Sequence, residues 1–223
     1  MEYRQWIDEV FNWEPNIPEQ SVGIQGQMSP DETLLLISQT FEHAGKDLAT
    51  FSDIQIANGI DFMINEVNEP LYAVYDARVP LALRRRTIAS FVPLYRDLFA
   101  VRCDNCQVDN ASNPLNTLCY MLWDAGALTL DGLKQRNDPE ANVLCESFMD
   151  VLETILFLPH TACQESALHG LGHSIISCND DRERFPKSYR SKMIDMINRY
   201  LRQKGIGSRL LKYAKQAKTG VIL

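Results

Sequence analysis

Nothing in this 223-residue chain is long and apolar enough to span a bilayer; runs such as Leu34-Leu35-Leu36-Ile37 and Ile155 to Leu158 are short and end at polar residues or proline. Met1-Glu2-Tyr3-Arg4 leads to Asp8 and Glu9, where an export signal needs an apolar run, so a cytoplasmic location is the expectation. No segment of strand length alternates cleanly between apolar and polar residues. The chain also lacks a P-loop, a dinucleotide fingerprint in a strand-turn-helix setting and a serine nucleophile elbow. Gly170-Leu171-Gly172 and Gly205-Ile206-Gly207 do not carry the flanking pattern those motifs need. Basic residues are in deficit, 22 Lys and Arg against 29 Asp and Glu for a net charge of −7, which speaks against generic nucleic-acid binding.

That deficit is uneven. From Arg199 onward there are seven basic residues and no acidic one, which leaves 15 basic against 29 acidic residues before it and a body near −14 with a basic tail. The tail reads as a helix over about 205–218, with Ile206, Leu210, Leu211 and Ala214 on one side and Arg209, Lys212, Lys215 and Lys218 elsewhere. Its apolar side is expected to dock while its charges complement the acidic body. Contact with acidic lipid or nucleic acid is the other use of such a segment.

The 45% hydrophobic content is enough for one domain with a real core over residues 1–223. Its periodicity is helical. Tyr3, Trp6, Ile7, Val10 and Phe11 share a face of a first helix that ends before Pro15, and a polar loop follows. Ser29-Pro30-Asp31-Glu32 and Ser52-Asp53-Ile54-Gln55 both read as capping boxes, opening helices that bury Leu34, Phe41 and Leu48, then Ile56, Ile60, Met63, Ile64 and Val67. Residues 70–79 give no clear pattern. The helical stretch from Leu81 to Phe99 is expected to kink or divide at Pro93. Asn113-Pro114 and Asp138-Pro139 read as two further starts, and residues 162–178 and 187–204 as a last pair stopped by Gly205. About eight helices joined by short loops predict an all-α fold.

Six cysteines in a chain without an export signal are expected to be reduced thiols. Cys103-Asp104-Asn105-Cys106 is a C-x-x-C, but no strand precedes it as in a thioredoxin-like site and no second close pair completes a zinc site. Structural cysteine is the expectation.

The helix over 162–178 carries the most chemistry. Ala167, Leu168, Leu171, Ile175 and Cys178 cluster on one side, and Glu165, His169 and His173 line up nearly opposite at successive i, i+4 positions. Two imidazoles at that spacing can meet one metal, with the carboxylate one turn earlier as a third ligand, and Asp124 or a cysteine as a further one. The residue after His169 is Gly170, so the metalloprotease arrangement with its general-base glutamate is absent. Gly170 and Gly172 also fit close helix packing, in which case the histidines bond to a neighbouring loop or helix end. In Cys119-Tyr120-Met121-Leu122-Trp123-Asp124, either at least one of Tyr120 and Trp123 faces a partner or a second layer buries both.

Residues 164–173, with the pattern Ala-Leu-x-x-Leu-Gly at 167–172, resemble the second helix of a HEAT or armadillo-type repeat. The resemblance covers the C-terminal third and implies a curved helical stack that binds other proteins, without catalytic residues. The functional expectation is a non-enzymatic interaction module, with no cofactor, whose Tyr120, Trp123, Asp124, Glu165, His169 and His173 meet another protein. In its sharper form it is an immunity-type protein neutralising a basic partner. The competing expectation is a metal-dependent enzyme built on Glu165, His169 and His173.

Overall fold

The computed structural model describes residues 1–12, 28–65, 70–124, 128–134, 138–180 and 185–222, the side chain of Asp180 apart. Among them the structure is helical without an extended strand, the all-α class that the periodicity predicts. Val67 and the polar stretch after the first helix lie outside the described residues.

Helix α1 (Tyr3–Phe11) buries Trp6, Ile7, Val10 and Phe11. The Trp6 indole N–H donates to Thr40 Oγ1 at 3.0 Å and so fixes α1 to α2 (Pro30–Glu42). Both predicted capping boxes form: Ser29 and Glu32 exchange hydrogen bonds at the start of α2, and Ser52 and Gln55 do so at the start of α4 (Asp53–Ile64). Between them the one-turn α3 (Ala44–Asp47) brings Leu48 into the core. Residues 70–79 hold a 3-10 turn (Pro70–Tyr75).

The long stretch from Leu81 divides around Pro93. Helix α5 (Leu81–Ala89) stops at Ser90, and the chain resumes as α6 (Phe91–Pro93), a π-helical turn (Leu94–Phe99) and α7 (Ala100–Arg102). Widening the helix just past Pro93 accommodates a residue with no N–H without breaking the rod. Asn113 caps α8 (Pro114–Met121) as expected, its side chain accepting from the Leu115 N–H at 2.9 Å. Asp138 makes the same kind of side-chain bond ahead of the next long helix. It accepts from the Glu140 N–H at 2.8 Å in a turn that delays the start of α10 (Ala141–Leu156), and its other oxygen meets Arg84.

Short α9 (Leu130–Lys134) precedes α10, and α11 (Thr161–Asp180) follows it, packed against α8, α9, α10 and two later helices, α12 (Lys187–Leu201) and α13 (Ser208–Ala217). A 20-residue helix in that position is covered on nearly every side, so its polar stripe faces other helices rather than water. Helix α12 ends at Leu201 with Arg202 as its cap, short of the expected 204, and Gly205 turns the chain further on in the left-handed region, φ 88°. The basic tail docks its apolar side, with Leu210, Ala214 and Ala217 buried, while Ile206 and Leu211 are half-buried.

Glycines set how closely α11 is approached. A Cβ on Gly170 would lie 2.9 Å from Trp123 Cγ and 3.0 Å from Trp123 Cβ, and one on Gly172 would lie 2.6 Å from Ile222 Cγ2. Trp123 Cβ is tied to its backbone and cannot swing aside. Gly170→Ala is therefore expected to destabilise the protein by about 1–2 kcal/mol, overpacking outweighing the roughly 1 kcal/mol that alanine adds in a helix. Urea unfolding measures it, and an unchanged or raised midpoint would show that the α8 end can retreat.

Candidate metal centre

Seating Trp123 on Gly170 has a chemical result. Trp123 is 2% exposed, its ring stacked on Tyr95 at a centroid distance of 5.7 Å and edge-on to Phe148. Asp124, the next residue, is thereby held beside α11 at the level of His173. The second packing layer allowed for in the sequence is what covers Trp123, and Tyr120 lies half-buried with its ring 4.2 Å from that of His169.

The two histidines converge. His169 Nε2 and His173 Nε2 are 3.1 Å apart, and His173 Nε2 is 3.6 Å from Asp124 Oδ1. One ligand atom from each of Asp124, His169 and His173 lies within 4.8 Å of the others. An ion bound tetrahedrally by bonds of about 2.0–2.1 Å sets its ligand atoms roughly 3.3 Å apart, a value the two measured separations bracket. Two imidazole lone pairs cannot face each other at 3.1 Å uncompensated, so either a shared proton or a cation belongs between them.

The other edge of His169 decides which nitrogen is available. Its Nδ1 is 2.8 Å from the Tyr213 hydroxyl, which is 2.9 Å from the Tyr120 hydroxyl. An Nδ1–H donating to Tyr213 leaves Nε2 with its lone pair, the tautomer a metal ligand needs. Burial, followed by the neighbouring His173, lowers the His169 pKa to about 4, so its ring is neutral at neutral pH. Burial also raises the Tyr213 and Tyr120 hydroxyl pKa values, which keeps both phenols protonated as hydrogen-bond partners.

Glu165, expected as the carboxylate of this group, is not in it. Its Oε1 accepts from the Gln107 side chain and its Oε2 from the Val108 N–H, each at 2.8 Å, and it lies one turn further down α11. Burial raises its pKa against those two bonds. It fastens the 107–108 segment to α11, and Arg209 reaches Asp109 of the same segment at 2.8 Å from α13. Asp124 takes the third place because the close α8–α11 contact brings it there. Tyr213 is the participant that the sequence reading missed, although it sits one turn from Leu210 on the docking side of the tail helix.

A pocket of about 180 Å³ opens beside the group, walled by Asp124, His173, Trp123, Phe148, Ser174 and Ser177. As a partner-binding surface the six residues expected from the sequence do not form a common ridge: Trp123, Glu165 and His169 are 2%, 5% and 3% exposed. Only Asp124 and His173 of the six combine exposure with a place at the pocket. Cys103 is buried and Cys106 half-buried in a loop after α7, and both are free thiols. Comparison with protein-family models, with curated proteins and with solved structures finds no match.

Proposed function

We propose that this chain binds one divalent ion of the zinc class through His169, His173 and Asp124 and uses it for hydrolytic chemistry at the adjoining pocket. The observation that carries the reading is the convergence of two imidazole Nε2 atoms at 3.1 Å with a carboxylate oxygen 3.6 Å from the second. Three protein ligands leave a fourth position open, the pattern of catalytic rather than structural zinc sites, and an ion so held lowers the pKa of a bound water to about 7. Asp124 and His173 both line the pocket, so an ion held there would adjoin it. Its volume is well below the roughly 300–1,000 Å³ of pockets that take drug-sized ligands, which suits a small substrate or the end of a larger one. Trp123, in the pocket wall, keeps its indole N–H buried and without an acceptor among the described residues.

The test is elemental analysis of the tag-free chain, followed by zinc titration of the metal-stripped protein. About one equivalent, bound with submicromolar affinity, is the expected result. Absence of metal after purification together with failure to take up added zinc would replace the ion by a shared proton and end the enzymatic reading.

One observation favours a second reading, in which the chain binds a basic protein: the division of charge into a body near −14 and a basic tail. Association driven in this way is steered by charge, so its rate is expected to fall at least tenfold between low salt and 0.5 M salt. Binding to a cationic partner that does not respond to salt counts against it.

A further inference from the structure

The basic tail carries more charge than the fold uses. Along α13, Arg209, Lys212, Lys215 and Lys218 recur at i, i+3 intervals, each beside the next on the helix surface. Like charges so placed repel, and no acidic residue lies between them. The helix dipole favours cations at the C-terminal end, which suits Lys215 and Lys218, but opposes Arg209 in the first turn. Arg209 is paired with Asp109 at 2.8 Å. Among the described residues no carboxylate forms an ion pair with Lys212, Lys215 or Lys218, nor with Arg202 and Lys204 in the turn before the helix. The expected match between tail and acidic body is therefore made at one residue of α13. On the inner side Leu210, Ala214 and Ala217 are buried and Tyr213 bonds to His169, which fixes the helix with Lys212 and Lys215 exposed and Lys218 half-buried.

We propose that the outward face of α13 docks the chain peripherally on an anionic phospholipid surface. Charge gives the sign of the partner, and the residues among the charges give its kind. Leu211 lies half-buried beside Lys215 and Lys218, and Val221, just past the helix, is 58% exposed. Aliphatic side chains among lysines suit a headgroup layer, where the ammonium groups meet phosphates and the apolar atoms reach the acyl boundary. A nucleic acid calls for other chemistry, aromatic faces on which bases stack or forked donors for base edges. The aromatic residues of this region bond inward instead, Tyr200 donating to Gln164 Oε1 at 3.0 Å and Tyr213 meeting His169. The outward cations are mostly lysines, which meet phosphate as point charges. The net charge of −7 does not forbid the contact, since charges more than about 8 Å from a membrane are largely screened at physiological salt. No helix among the described residues is long and apolar enough to cross a membrane, and the contact proposed is one of surface alone.

The experiment sediments the full-length chain with phosphatidylcholine vesicles that contain either no anionic lipid or about 30% phosphatidylserine, at about 0.15 M salt. Binding to the anionic vesicles and none to the neutral ones is the expected result. Each cation near the surface contributes about fivefold, so Lys212→Gln, Lys215→Gln and Lys218→Gln together should weaken binding about 100-fold. A second variant, Lys46→Gln with Arg85→Gln and Lys187→Gln, makes the same change in net charge elsewhere on the chain and should stay within about threefold of the wild type. The tail lysines form no ion pair within the protein, so their variant is expected to fold as the wild type does, which circular dichroism checks. Equal losses in the two variants, equal binding to neutral vesicles, or no binding would each overturn the proposal. Tighter binding to a DNA duplex of about 30 base pairs than to the anionic vesicles would overturn it as well and assign the face to nucleic acid. The comparison of the two vesicle compositions uses the wild-type chain and decides the matter even where a variant folds poorly.

Discussion

A chain carrying His169→Ala with His173→Ala is expected to hold no stoichiometric zinc, its affinity falling at least about 10⁴-fold once two of three protein ligands are gone. The double variant by itself is not decisive, because His169 is 3% exposed and its removal leaves the Tyr213 hydroxyl without its partner. His173→Ala supplies the control. That side chain is 38% exposed, so the variant should fold normally and still lose about 100-fold or more in zinc affinity. Tyr213→Phe separates positioning from ligation. It removes the hydrogen bond that selects the His169 tautomer and leaves every ligand in place, so zinc should weaken about 10–100-fold while stoichiometry at saturation stays at one. Zinc retained by the double variant would point to the cysteines as its site. Wild-type affinity in the Tyr213→Phe chain would mean that the tautomer is set by something else.

The helical architecture was readable because it rests on local rules. Ser29 and Ser52 are followed at the third position by Glu32 and Gln55, and a box of that kind needs no tertiary information to form. Asn113 caps α8 for the same reason. Asp138-Pro139 carries the same local signal and makes the same bond, to the Glu140 N–H, but its second oxygen is taken by Arg84, 54 residues away, which nothing local announces. The site followed the same division. The i, i+4 spacing of His169 and His173 places their rings together on any helix, and it does so here. Which carboxylate joins them depends on how α8 lies on α11, which is governed by the missing Cβ of Gly170 and the position of Trp123. Glu165 had the better sequence claim, one turn from His169, but the 107–108 backbone occupies it. The helical wheel located the polar stripe of α11 but carried no information that α13 and the 107–109 segment would cover it.

The largest stability effect is expected at Arg84, in a run of three arginines that residue type alone does not tell apart. Arg84 is the one at the buried phase of α5, four residues before Ile88, and its side chain is 0% exposed. It donates through Nε to the Val74 carbonyl at 2.8 Å, through Nη1 to Glu140 at 3.0 Å and through Nη2 to Asp138, whose side chain is 5% exposed. One guanidinium thereby joins the 3-10 turn, α5 and the start of α10. Arg84→Ala leaves the Asp138 carboxylate buried without its counter-charge, and the cost is expected to be about 3–5 kcal/mol in urea unfolding. Arg86, two residues on, pairs with Glu42 at the surface with side-chain exposures of 43% and 29%; Arg86→Ala should cost less than about 1 kcal/mol. The decisive comparison is Arg84→Met with Asp138→Asn, which removes the buried charge along with its partner and should recover much of the loss. If the double variant is as unstable as Arg84→Ala, the Val74 and Glu140 bonds hold the junction and the ion pair does not. If Arg84→Ala costs no more than Arg86→Ala, water reaches Asp138 once the arginine is gone and the junction is not dry.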